Sequence, residues 1–298
     1  MAVLESLLIL AVALVVMVKA SEAVIEKSIT VARCLRISEL AIGFLLLSIA
    51  TSLPEFVVSV VAALEGQVGL AVGNVFGSNL SNIALVAGVG AMVQAFRIRR
   101  KDALDLVRVL FITSVLPLIM LTNDFGRYAG VVLLLVFVGF VYFILKRGIA
   151  VSGDGKTEPR QAVLATLTLL AGVAVVIVSA KFAVDAAVDL SLGTGVSKAF
   201  VGATAVALGT SMPELALTLQ AIRRKAHGLA LGNLLGSAIT NLTLVLGAAA
   251  VIDPLAANLA TVFNLVVFAL IANLVMWFFL QSGSKIGRNE GLVLVGVY

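Results

Sequence analysis

The sequence predicts an all-α polytopic membrane protein of ten transmembrane helices, built as two inverted five-helix repeats. Three observations predict it. Hydrophobic residues fill 61% of the 298 positions and charged ones 12%, with a mean hydropathy of +1.16; soluble domains carry about 25% charged and about 45–50% apolar residues. Apolar runs of roughly 20 residues, the length that crosses ~30 Å of hydrocarbon, recur along the chain. The second half also repeats the first at a fixed offset.

The first apolar run, Leu7 to Val18, has no basic stretch before it and is followed by Lys19. A cleavable signal peptide has the opposite layout, so the run reads as the first span, 2–18. The others read as 38–64, 67–95, 103–122, 127–146, 161–190, 197–222, 227–252, 255–281 and 287–298. The last has only 12 residues, and its internal counterpart "GRYAGVVLLLVF" continues for about twenty apolar residues; residues beyond Tyr298 are expected to complete a tenth span. "RGIAVSGDGKTEPR" (147–160) is the one long polar linker and divides the chain into units 1–150 and 151–298. With the N-terminus outside, inside loops receive 17 basic residues and outside loops 3 (Arg127, Lys181 and Lys198), with Arg108 left in the fourth span. This positive-inside bias predicts a multi-pass cell-membrane protein with both termini outside. The net charge of +5 is thereby placed in membrane loops and needs no nucleic acid. The single cysteine, Cys34, excludes an intrachain disulfide.

Shifted by 159 residues, the sequence overlays itself. Thr51-Ser52 meets Thr210-Ser211, Pro54-Glu55 meets Pro213-Glu214, and "GLAVGNVFGS" (69–78) meets "GLALGNLLGS" (228–237). Between 50–88 and 209–247, 16 of 39 positions are identical. A repeat of five helices is odd, so the second copy must cross the membrane upside down. Inverted repeats are typical of secondary transporters, which bind substrate at the midplane where broken helices meet.

The break itself follows from proline. Pro54 has no N–H and its ring clashes with the carbonyl of Ala50; Pro213 does the same to Gly209. Backbone carbonyls near Ala50, Thr51, Gly209 and Thr210 are freed, and in hydrocarbon they need another partner. Glu55 and Glu214 stand one residue beyond each proline, where an uncompensated charge costs on the order of 3 kcal/mol or more. Asn74, Ser78 and Asn82 recur every fourth residue and share a helical face; Asn233, Ser237 and Asn241 do likewise. Ser48, Ser52, Glu55 and Ser59 form a further polar stripe, echoed by Ser211, Glu214 and Thr218; for Ser48, Ser59 and Thr218 a bond to the carbonyl four residues back is the plainer reading. The glycine stripes Gly69, Gly73, Gly77 and Gly228, Gly232, Gly236 permit close backbone approach. All the midplane ligands are oxygens or amides, which suits a hard cation; Ca²⁺ takes 6–8 oxygens in adaptable geometry, whereas Mg²⁺ demands a strict octahedron.

"TSLPE…GNVFGSNLSN" and "TSMPE…GNLLGSAITN" resemble the two alpha-repeats of the calcium/cation antiporter superfamily, here at about 39–90 and 198–249. The resemblance spans essentially the whole chain. It implies cation coordination by Thr51, Ser52, Glu55, Ser78 and Asn82, and by Thr210, Ser211, Glu214, Ser237 and Asn241. It also implies that the first and sixth helices slide across the other eight. Sodium/calcium exchangers of this superfamily usually carry an aspartate where Asn82 or Asn241 stands, so amides at both positions favour protons as counter-ion, with sodium the alternative. The expected activity is Ca²⁺ antiport with no cofactor and no protein partner beyond the bilayer. A cation channel could use the same ligands but needs weak multi-site binding along a continuous pore. No nucleophile–base set is found at the midplane, so an enzyme is not expected. Lys181, Asp185 and Asp189, at intervals of four, read as an exposed ion-pair stripe before a gate.

Overall fold

A long N-terminal helix, α1 (Val3–Cys34), opens the computed structural model, which describes residues 3–34, 47–97, 110–112, 114–116, 126–148, 159–223, 227–254, 259–282 and 285–298. The early part of the expected second span, much of the fourth and most of the central linker lie outside the described residues. α2 (Leu47–Thr51) and α3 (Leu53–Leu64) are one run interrupted at Ser52. α4 (Val68–Leu80) continues through a π-helical segment, Ser81–Val86, into α5 (Ala87–Val93). Helical turns at 110–112 and 114–116 precede α6 (Gly126–Gly148).

The second half opens with α7 (Pro159–Thr194). α8 (Lys198–Val201), a π segment Gly202–Val206 and α9 (Ala207–Thr210) lead to a break at Ser211 and then α10 (Met212–Arg223). α11 (His227–Thr240) passes through a π segment, Asn241–Val245, into α12 (Leu246–Ile252). α13 (Leu259–Ser282) and α14 (Arg288–Val297) complete the chain. The only strands among the described residues are β1 (Phe96–Arg97) and β2 (Lys285–Ile286), paired antiparallel. That pairing brings the ends of α5 and α13 to one side of the molecule.

Five described helices are long and apolar enough to cross a membrane, and a sixth arises if the run Lys198–Arg223, bent by 42° at its break, counts as one span. The chain is thus a multi-pass, all-helical membrane protein. Two expected boundaries are corrected. α1 runs to Cys34 rather than ending at 18, and α7 fills 159–194 rather than 161–190. Hydropathy registers only the part of a helix inside hydrocarbon. Beyond it α1 is carried on by helix-forming charged residues, including a Lys19–Glu22 pair at 2.9 Å.

α1 and α7 pack along one another, and most of their outward faces are exposed apolar side chains such as Leu8, Val12, Leu167 and Phe182. The other helices form the interior, where α4 and α11 are almost wholly buried. The glycines set the closest approaches. A methyl group on Gly73 would lie 2.1 Å from the Ala199 carbonyl oxygen, and one on Gly77 would lie 2.4 Å from that of Ala203. Two further contacts cross between the halves. Gly88 meets Gly291, with a methyl on either falling 2.8 or 2.7 Å from the other's carbonyl oxygen, and Gly130 meets Gly247 at 2.6 and 3.1 Å. Gly247 is the repeat equivalent of Gly88, and Gly291 matches Gly130 where "GRNEG" (287–291) overlays "GRYAG" (126–130) at a shift of 161, so each contact is the exchanged copy of the other.

Candidate cation site

The two helix breaks have the same backbone geometry. Ser52 sits at φ −81°, ψ 7° and Ser211 at φ −82°, ψ 6°, outside the helical well by the same amount. Each proline then lies in the first turn of a new helix, where its missing N–H would have had no partner anyway. Glu55 and Glu214 occupy the first turns of α3 and α10. The positive end of the helix dipole lies there, which favours a carboxylate. Proline and glutamate are therefore parts of one device: the first breaks the helix, and the second uses the end that the break creates.

All twelve expected ligands are at most 2% exposed: Thr51, Ser52, Glu55, Asn74, Ser78, Asn82, Thr210, Ser211, Glu214, Asn233, Ser237 and Asn241. The threonines knit the halves together reciprocally. Thr51 Oγ1 lies 3.3 Å from Asn233 Oδ1 and 3.1 Å from Ser237 Oγ. Thr210 Oγ1 lies 3.3 Å from Asn74 Oδ1 and 3.4 Å from Ser78 Oγ, the same contacts with the halves exchanged. Glu55 faces Ser78, Thr210 and Ser211, and Glu214 faces Thr51 and Ser237, with the two carboxylates close enough to repel each other. Among the described residues no cluster of three acidic, histidine or cysteine side chains occurs, so no third carboxylate joins the pair.

Much of this oxygen is buried without a hydrogen bond. Glu55 Oε2, both oxygens of Glu214, Ser52 Oγ and both amide atoms of Asn82 and of Asn241 have no partner. Buried polar groups are ordinarily paired, and each such atom costs about 1–3 kcal/mol unless something satisfies it. A cation bound between the breaks would satisfy the oxygens, though not the amide N–H groups. Asn82 and Asn241 also lie within the π segments, where the backbone pairs i→i+5 and turns are wider; such segments recur at functional sites.

The profile of the family described as Sodium/calcium exchanger protein matches residues 5–146 and 164–298. The chain belongs to the sodium/calcium exchanger family. Inner membrane protein YrbG of Escherichia coli (strain K12) is 32% identical over 306 residues, spanning 97% of this chain and 93% of that protein. Sodium/calcium exchanger MaX1 of Methanosarcina acetivorans is 27% identical over 341 residues, covering 98% and 95%. Among solved structures, the sodium-calcium exchanger NCX_Mj soaked with 10 mM Na⁺ and zero Ca²⁺ matches with a TM-score of 0.72 and 28% identity, over 99% of this chain and 97% of that one.

In this member of the exchanger family, sequence reasoning passed over several polar contacts. Ser59 is not a back-bonded hydroxyl: its Oγ accepts from Asn74 Nδ2 at 2.9 Å, while the same amide also reaches the Glu55 carbonyl at 3.2 Å. Asn273 Nδ2 donates to Ser114 Oγ at 2.7 Å, and the hydroxyl passes on to the Leu110 carbonyl. Ser114 and Asn273 are 159 residues apart, so each is the other's repeat equivalent, a relation the offset could have revealed. Lys181 does pair along its helix with Asp185 at 3.7 Å, but it also bridges to Glu65 just beyond the end of α3. The exchanger's outer helix pair is thereby tied to its broken helix.

Proposed function

We propose that this chain is a secondary antiporter that exchanges Ca²⁺ for protons by alternating access, within ten helices built as two inverted five-helix repeats. The units are 1–150 and 151–298, and both termini lie outside. The observation that carries the reading is the pair of buried carboxylates, Glu55 and Glu214, each at the start of a helix broken in the membrane and each with unpaired oxygens. Thr51, Ser52, Ser78, Asn82 and their equivalents Thr210, Ser211, Ser237 and Asn241 complete the oxygen shell with the freed carbonyls, and Asn74 and Asn233 brace the threonines. The reciprocal threonine contacts and exchanged glycine pairs support the inverted repeat.

The exchange is obligatory on electrostatic grounds. Two uncompensated carboxylates are too costly to carry through a dry, occluded state, so the halves interconvert only when that charge is cancelled. One Ca²⁺ cancels it, and so do two protons, one on each glutamate. Several sodium ions would call for more oxygen ligands and a third carboxylate, which the amides of Asn82 and Asn241 do not supply. Sodium is the second reading, favoured by the likeness to the sodium/calcium exchangers MaX1 and NCX_Mj.

Ca²⁺ flux in proteoliposomes decides between them. A pH gradient at constant sodium is expected to drive Ca²⁺ movement, and a sodium gradient at constant pH is expected to leave it unchanged. The reverse result would replace protons by sodium, and currents through single open channels would remove antiport altogether. Asn241→Asp tests the cause, with sodium-dependent Ca²⁺ flux expected to appear in that variant.

A further inference from the structure

The two halves of the site are equivalent in sequence, yet they are not equally bonded. In the first half, Asn74 Nδ2 holds Ser59 Oγ at 2.9 Å and the Glu55 carbonyl at 3.2 Å. In the second half the same atoms are present, but Asn233 Nδ2 and Thr218 Oγ1 are both buried without a partner. The serines at the breaks show the same imbalance: Ser211 Oγ donates to Glu55 Oε1 at 3.2 Å, whereas its repeat equivalent Ser52 Oγ is unpaired. At both places the first broken helix is fastened and the second is loose.

We infer that Ser59 and Thr218 are alternating latches: the Asn74–Ser59 bond holds α3 in the conformation seen here, and an Asn233–Thr218 bond replaces it when the site faces the other side of the membrane. This rests on the alternating-access reading above. The physical basis is that two copies of one sequence related by an exchange can occupy either of two mirror-assigned bonding patterns. The orphaned pair in one copy marks the bond that the other pattern would make. Buried hydroxyl and amide groups left unpaired are unfavourable, so each conformation carries one satisfied latch and one unsatisfied latch, and the two conformations stay near balance. Ser59 and Thr218 act through Asn74 and Asn233, and so are positioning residues.

The test compares Ser59→Ala with Thr218→Ala in the full chain. Hydrogen–deuterium exchange in nanodiscs reads the two broken helices without requiring transport. Ser59→Ala is expected to raise uptake across 53–64 and lower it across 212–223, by about fivefold in the underlying equilibrium, the factor one buried hydrogen bond carries. Thr218→Ala is expected to shift it the other way by a similar factor, and the double variant to return it near the starting balance. Half-saturating Ca²⁺ measured from each face of oriented proteoliposomes should move in opposite directions in the two single variants. Ser59→Thr and Thr218→Ser, which keep the hydroxyl, are expected to behave like the parent. Shifts of the same sign in both alanine variants, no shift in either, or an effect of Ser59→Thr equal to that of Ser59→Ala would each overturn the inference. Opposite exchange shifts in a protein that moves no Ca²⁺ would uphold the latch and refute only the proposed substrate.

Discussion

Glutamine at either Glu55 or Glu214 is expected to abolish Ca²⁺ transport while leaving the protein folded. Each carboxylate supplies half the charge that compensates a bound dication, and a neutral amide supplies none. Losing about 3 kcal/mol of such compensation is about a hundredfold in affinity, and carrying a half-neutralised ion through the membrane adds to that. The fold does not share the dependence. Both side chains are buried, their mutual repulsion is relieved by the change, and removing a buried, poorly paired charge is often neutral or stabilising. Tracer uptake into proteoliposomes, beside thermal unfolding of the same preparation, separates the two effects. Near-normal uptake by either purified variant would remove that glutamate from the site.

The second large effect concerns packing. Gly73→Ala or Gly77→Ala is expected to destabilise the protein by more than about 3 kcal/mol, because the new methyl would fall on the backbone carbonyl of Ala199 or Ala203. A side chain in the way can rotate, whereas a helix backbone can only retreat. Gly69 is the control, since a methyl there meets nothing nearer than 3.8 Å, and alanine is the better helix former by about 1 kcal/mol. Thermal unfolding in detergent should therefore place Gly69→Ala at or above the parent and the other two well below. Equal behaviour of all three would mean that the helices are not in backbone contact.

The candidate site could be located because its residues are expensive in hydrocarbon. A proline and a glutamate amid apolar spans, repeated 159 residues on, point to a paired ion site, and the structure buries all twelve expected ligands. What stayed hidden has physical reasons too. The π segments at Ser81–Val86 and Asn241–Val245 last one turn, too short to alter a hydrophobic periodicity. The extension of α1 to Cys34 lies past the apolar run that marks a span. The role of Ser59 could not be read because a hydroxyl in a membrane helix has a carbonyl within reach on its own turn, and only the fold shows that Asn74 is nearer to hand. The imbalance between Ser59 and Thr218 is not readable from the repeat, since both copies carry a hydroxyl there and only the fold shows which one meets its asparagine.

The threonine exchange has a consequence for inheritance. Thr51 rests on Asn233 and Ser237, and Thr210 on Asn74 and Ser78, so each threonine takes its side-chain partners from the other half and only a backbone carbonyl, Ser48 or Ala207, from its own. On the inverted-repeat reading proposed above, a lone half would have to find those side chains in a second copy lying the opposite way up. A half encoded by itself could then work only as one of a pair of antiparallel twins, and joining the two in one chain frees each to diverge from the other. An asparagine replaced in one half is felt as a defect in the other, which ties the two halves to a common fate.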